Sequence, residues 1–102
     1  PGVAVSAEEV AGLPTEYRLY ENFPNPFNPS TMISYDLPGE AEVTLKVFDM
    51  LGREITTLIN ERENAGHHAV QFSATPGLAS GAYIYSMNAG SFSARKRMLF
   101  VK

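Results

Sequence analysis

Side chains able to do chemistry are few in this chain. His67 and His68 are its only histidines, and it has no cysteine. Imidazoles and carboxylates at the right spacing hold zinc and related ions. On an extended strand, however, neighbouring side chains point to opposite faces, so one ion cannot take both rings. No third ligand stands at a suitable spacing, and the pair reads as surface histidines beside a turn. The lack of cysteine excludes disulfides, thiolate nucleophiles and cysteine-based zinc sites. Serine is plentiful, but the G-x-S-x-G elbow of a serine hydrolase is absent. The acids are scattered over turns and polar strand positions, and a paired-carboxylate site needs a larger cleft than so small a domain offers. Neither G-x-x-x-x-G-K nor G-x-G-x-x-G occurs, so nucleotide binding has no support. Asn28-Pro29-Ser30 fails as a glycosylation site because proline occupies its middle position. The chain reads as a non-enzyme with no cofactor and no metal.

Charge is more informative. The 102 residues carry a net charge of −3, with four of the eight basic side chains in the last eight positions, RKRMLFVK. Arg95, Lys96, Arg97 and Lys102 thus form a basic end on a body that holds all eleven acids. Basic residues on an exposed last strand deter edge-to-edge aggregation. A nucleic-acid or lipid partner is a weaker reading, because no stacking aromatics are interleaved with the charges. A third reading is a tag recognised by a machine that handles the end of the chain. Apolar runs such as Met98 to Val101 fall far short of the roughly 18 residues of a membrane helix, so no stable membrane insertion is expected.

The second unusual stretch is ENFPNPFNPST, Glu21 to Thr31, with three of the seven prolines. Each proline fixes φ near −65° and donates no hydrogen bond, and each biases the residue before it to extended backbone. The block predicts a stiff, extended crossover between two strands, with Phe23 and Phe27 as its anchors on the core. The asparagines and phenylalanines do not suit a polyproline ligand.

The elements that must carry these features are strands. From Tyr17 onward, short apolar runs alternate with turn residues, the pattern of an all-β domain. Strands are expected at Tyr17–Asn22, Thr31–Leu37, Glu42–Asp49, Glu54–Asn60, His67–Ser73, Gly81–Ala89 and Phe92–Val101. Ile33, Tyr35 and Leu37 share a face, as do Val43, Leu45 and Val47, then Ile55, Thr57 and Ile59, and finally Tyr83, Tyr85 and Met87. Asp49 to Arg53 reads as a hairpin loop closed by Gly52. The last strand alternates poorly. Seven strands, each with one apolar face to hide, predict two stacked antiparallel sheets, an immunoglobulin- or fibronectin III-like β-sandwich, with a small barrel as the alternative. Residues 1–16 read as a linker from an upstream domain, with a weak helical turn at Ser6 to Gly12. Residues 17–102 form the sandwich. The start at Pro1 suggests a processed product or a fragment of a longer polypeptide.

Taken together, the motifs resemble the type A C-terminal sorting domain of the type IX, or Por, secretion system of Bacteroidetes and related bacteria. The resemblance runs from about Leu13 to Lys102. It rests on LPTEYRLYENFPNPFNPSTMISYDLP (13–38), VTLKVFDMLGREITTLIN (43–60), AGHHAVQF (65–72), SGAYIYSM (80–87) and RKRMLFVK (95–102). It implies a small β-sandwich that addresses an attached cargo protein through the periplasm and across the outer membrane, to the cell surface or beyond. The implied partners are the secretion translocon and a sortase-type peptidase that removes the domain, with cleavage in the linker. The implied signal residues are Pro24, Asn25 and Pro26, Gly81 and Tyr83, and Lys96 and Lys102. The charge pattern adds Arg95 and Arg97 as groups for an acidic receptor surface. Two other readings stand beside this one: an immunoglobulin-like spacer or adhesion module, and a carbohydrate-binding module with Tyr83 and Tyr85 as a stacking platform.

Overall fold

The structure, a computed structural model, describes residues 12–102. Among them run seven strands: β1 (Arg18–Leu19), β2 (Ser30–Leu37), β3 (Ala41–Asp49), β4 (Glu54–Glu63), β5 (Gly66–Ser73), β6 (Gly81–Ala89) and β7 (Phe92–Phe100). They form a three-stranded sheet in the order β1-β2-β5 and a four-stranded sheet in the order β4-β3-β6-β7, with all strand pairs antiparallel. The chain crosses between sheets after β2, after β4 and after β5. This three-on-four arrangement is that of a fibronectin III-like sandwich rather than a closed barrel. The expected linker falls mostly outside the described residues, and the expected turn at Ser6 to Gly12 does so apart from Gly12.

The alternation read from sequence sets the core. Ile33, Tyr35 and Leu37 of β2 face Val43, Leu45 and Val47 of β3 and Tyr83, Tyr85 and Met87 of β6, all buried. Met98 and Phe100 of β7, Phe72 of β5, Leu19, Phe27, Ala41 and Ala89 complete the cluster. Burying one of the larger side chains is worth about 1.5–3 kcal/mol, so these facing rows are the main favourable term in folding. The aspartate hairpin forms as expected. Asp49 Oδ1 accepts from the amides of Leu51 (2.9 Å) and Arg53 (3.0 Å), and Gly52 takes a φ of +85°. These donors, the Arg53 amide foremost, hold the Asp49 carboxyl below its ordinary range.

Three expectations are corrected. First, β4 does not keep Ile55, Thr57 and Ile59 on one face. The β3–β4 ladder shifts register between Leu45 and Lys46 and again between Val47 and Phe48. Each bulge adds a residue to β4 and flips the faces beyond it. Leu58 and Ile59 therefore both pack toward the core, while Ile55 is exposed. Second, β7 alternates well. Ala94, Lys96, Met98 and Phe100 lie on the inner side, with Ser93, Arg95, Arg97 and Leu99 outside. Lys96 obscured the pattern because it sits inward at the sandwich's open edge, where Nζ reaches Glu21 Oε1 at 3.4 Å. Third, Phe23 does not anchor the proline block and is 80% exposed. It pairs with Met32, an outward residue of β2, and opposed residues of an antiparallel pair share a face.

Candidate recognition surface

The proline block is built around its first asparagine. Asn22 is buried, and its Nδ2 donates to the Pro24 carbonyl (3.2 Å) and to Thr31 Oγ1 (3.0 Å). The Thr31 hydroxyl donates to the same Pro24 carbonyl (2.9 Å). The Phe23-Pro24, Asn25-Pro26 and Asn28-Pro29 peptide bonds are cis. The block bends rather than running extended, and it joins the sheets through single-residue bridges at Phe23 and Phe27.

Its second half covers the C-terminal end of β7's free edge. The Phe27 amide donates to the Leu99 carbonyl (2.9 Å), and the Val101 amide donates to the Phe27 carbonyl (3.1 Å). Asn25 Oδ1 accepts from the Leu99 amide (3.0 Å), a contact between residues 74 positions apart. The Phe27 ring drops into the core against Phe72 (5.9 Å) and Phe100 (5.3 Å). Two segments that looked separate in sequence are thus one structure. Asn25 and Pro26 meet Arg97, Met98 and Leu99 across a shallow groove of about 320 Å³.

The expected signal residues are distributed as follows. Pro24, Asn25 and Pro26 are exposed beside the end of β7. Arg95 and Arg97 are exposed on the outer face of the four-stranded sheet, whereas Lys96 points the other way. Lys102 is exposed, and its amide donates to Ser80 Oγ at 2.9 Å. Gly81 opens β6 opposite Phe100 with a φ of +154°, a conformation that L side chains avoid. Tyr83 is buried, and its hydroxyl donates to the Ala79 carbonyl at 2.5 Å, which ties down the loop before β6. Gly81, Tyr83 and Lys102 therefore gather at one end of the sandwich, around Ala79 and Ser80. Sequence reading missed Asn22 and Thr31 as the staples of the block. The one available signal was a buried-type threonine opening an alternating strand.

The other chemically interesting groups are structural. Tyr83 and Tyr85 form no stacking platform. Both are buried, and the Tyr85 hydroxyl donates to the Tyr20 carbonyl (2.7 Å). Burial pushes the Tyr85 phenol well above its usual range. His67 and His68 take opposite faces. His67 Nδ1 meets Asp36 Oδ1 at 2.5 Å, and the Tyr20 hydroxyl donates to Asp36 Oδ2 at 2.5 Å. Asp36 of β2 thereby ties Tyr20, the residue after β1, to His67 of β5 on the outer side of the small sheet, and its hydrogen bond raises the Tyr20 phenol. The His68 ring stacks on Tyr35 at 5.3 Å. No group of three His, Asp or Glu side chains among the described residues could hold a metal ion.

Fold and surface together define a small immunoglobulin-like module whose expected signal residues lie at an edge and an end of the sandwich. The family of secretion system C-terminal sorting domains matches residues 21–102, and the chain belongs to it. The match begins at the proline block and runs through the last strand. A comparison with curated proteins gives no match. The chain carries a type IX secretion C-terminal sorting signal. That implies an attached cargo destined for secretion or the cell surface.

Proposed function

We propose that the domain is read by the type IX translocon at the surface where the proline block meets β7. Pro24, Asn25 and Pro26 supply a rigid corner, and Arg95, Arg97 and Lys102 supply charge that captures an acidic receptor surface, while Lys96, turned inward onto Glu21, steadies the edge behind them. Gly81 and Tyr83 act from behind, by holding the loop against which the last residues rest. The cargo attached ahead of the domain passes through the periplasm and crosses the outer membrane. A sortase-type peptidase then cuts within the segment before Arg18, releasing the cargo or attaching it to lipopolysaccharide. The observation that supports this best is the joining of the corner to β7 by Asn25 and Phe27, because it makes one patch from the first and last motifs of the family match.

The test is export of a reporter fused ahead of the domain in a bacterium with this secretion system. Deleting Arg95–Lys102 would also remove Met98 and Phe100 from the core, so it would confound signal with folding. The informative change is the pair Asn25→Ala and Pro26→Ala, with the fold checked by circular dichroism. The intact domain should bring the reporter outside the cell, and the folded variant should leave it in the periplasm. Retention of the reporter by the intact domain would defeat the sorting role. Normal export of the folded variant would remove the corner from the signal.

A further inference from the structure

Among the described residues, four of the eight basic side chains are engaged by carboxylates. Lys46 meets Glu54 at 3.2 Å, Arg53 meets Asp49 at 2.7 Å, Arg62 meets Glu40 at 3.3 Å and Lys96 meets Glu21 at 3.4 Å. Arg18 lies over the Tyr20 ring. Arg95 and Arg97 have no carboxylate within ion-pair distance among the described residues, although the chain has eleven acids to choose from. They stand opposite Ser86 and Ile84 of β6, which in turn stand opposite Lys46 and Phe48 of β3. This row ends at the aspartate hairpin, whose tip exposes Met50 (55%) and Leu51 (79%). Phe48, Met50, Ile84, Ser86 and Arg95 line a groove of about 280 Å³ there, together with Asp49, whose carboxylate is taken by Arg53. Two apolar side chains, Phe48 and Ile84, thus lie beside two unpaired guanidiniums on a domain whose net charge is −3.

We propose that this face, hairpin tip and arginines together, docks an acidic peptide segment of the receptor that carries one bulky apolar side chain. The apolar side chain fills the groove over Phe48 and Ile84, and the carboxylates pair with Arg95 and Arg97. The inference deepens the sorting reading and rests on it. Small-molecule sites enclose about 300–1,000 Å³, and this surface groove, at the bottom of that range, has room for one or two side chains. A bilayer would need several free cations facing one plane. Here Lys46 and Arg53 are already neutralised by their own carboxylates. Arginine suits the role because its planar fork matches a carboxylate.

The test is selection of random dodecapeptides on phage against the whole 102-residue chain, followed by NMR titration of the selected peptides into the ¹⁵N-labelled protein. The expected peptides carry excess Asp and Glu around an aromatic or large aliphatic residue. Their amide shifts should be confined to the hairpin, the middle of β6 and Arg95–Arg97. R95E/R97E should raise Kd about tenfold or more, and raising salt from about 50 to 500 mM should weaken binding several-fold. M50S, a change at an exposed tip that spares the fold, should also weaken it. Failure to enrich peptides, enrichment without acidic excess, shifts mapped elsewhere, or indifference to R95E/R97E would each overturn the proposal. So would binding to phosphatidylglycerol vesicles that R95E/R97E abolishes when no peptide is selected, since the face would then be a membrane contact. The reporter assay on the intact domain stays independent. Export without peptide binding refutes this face alone, whereas retention of the reporter refutes the sorting role.

Discussion

Phe23 and Phe27 stand four positions apart in one motif, and the structure assigns them opposite fates. Phe27 is 1% exposed and packs on Phe72 and Phe100, whereas Phe23 is 80% exposed. Truncating a buried phenylalanine to alanine costs about 3–5 kcal/mol, from lost transfer energy and the cavity left behind. A surface truncation stays within about 0.5 kcal/mol. Domains of this size are stable by about 5–15 kcal/mol, so Phe27→Ala removes a large share of the total. With a urea slope of about 1 kcal/mol/M, its midpoint should fall by about 3 M or more, while Phe23→Ala should hardly move. Far-ultraviolet circular dichroism reads both, since the chain lacks tryptophan. Equal losses in the two variants, or a larger loss for Phe23→Ala, would refute the pairing argument that places Phe23 outside.

Two further outcomes follow from the backbone and from the buried phenols. Gly81→Ala meets no atom within 4 Å, so its cost is the strain of a φ of +154°, about 1 kcal/mol or more. A thermal melt should show a drop of about 4–8 °C per kcal/mol, with Gly39→Ala, which has open space and no positive φ, as the neutral control. Tyr35 and Tyr85 have phenols raised above the ordinary value near 10, chiefly by burial. A group raised in the native state stabilises fully below its unfolded value and loses that contribution as pH climbs toward its folded one. Stability should therefore fall above about pH 10, and the tyrosinate absorbance of these two residues should appear only as circular dichroism is lost. Their ionisation in a still-folded protein would contradict the burial.

How much of this was legible in the sequence depends on parity. β2, β3 and β6 alternate without interruption, and their buried faces were readable residue by residue. β4 was not, because its two bulges leave no mark in a run of Ile, Thr and Leu that suits either face. β7 was misread because Lys96 on its inner side looked like noise until Glu21, from the other end of the chain, was placed beside it. In the proline block the chemistry of each proline was plain, but its bends depend on a buried amide and a threonine hydroxyl that meet only after folding. Nothing local singles out Asn25, which accepts from Leu99, over the equally exposed Asn28. The hairpin tip was legible as a turn, yet its place beside Arg95 follows from sheet order alone.

That last dependence bears on what a sorting signal can report. The corner and the terminal strand are 74 residues apart where Asn25 meets Leu99. Neither segment can present the joint surface by itself. The corner's shape depends on Thr31 of β2, and β7 holds its outward arginines in line only when laddered to β6. In an unfolded chain the same charges and prolines exist, but the entropy of closing so long a loop keeps them apart. A receptor that contacts both elements at once therefore discriminates folded from unfolded cargo ends without a separate check. One that reads only the basic tail as a linear peptide would not. The two cases differ in a measurable way: Phe27→Ala leaves every exposed residue of the proposed signal in place chemically, so loss of recognition in that variant, in proportion to its unfolded fraction, is the mark of a surface read in three dimensions.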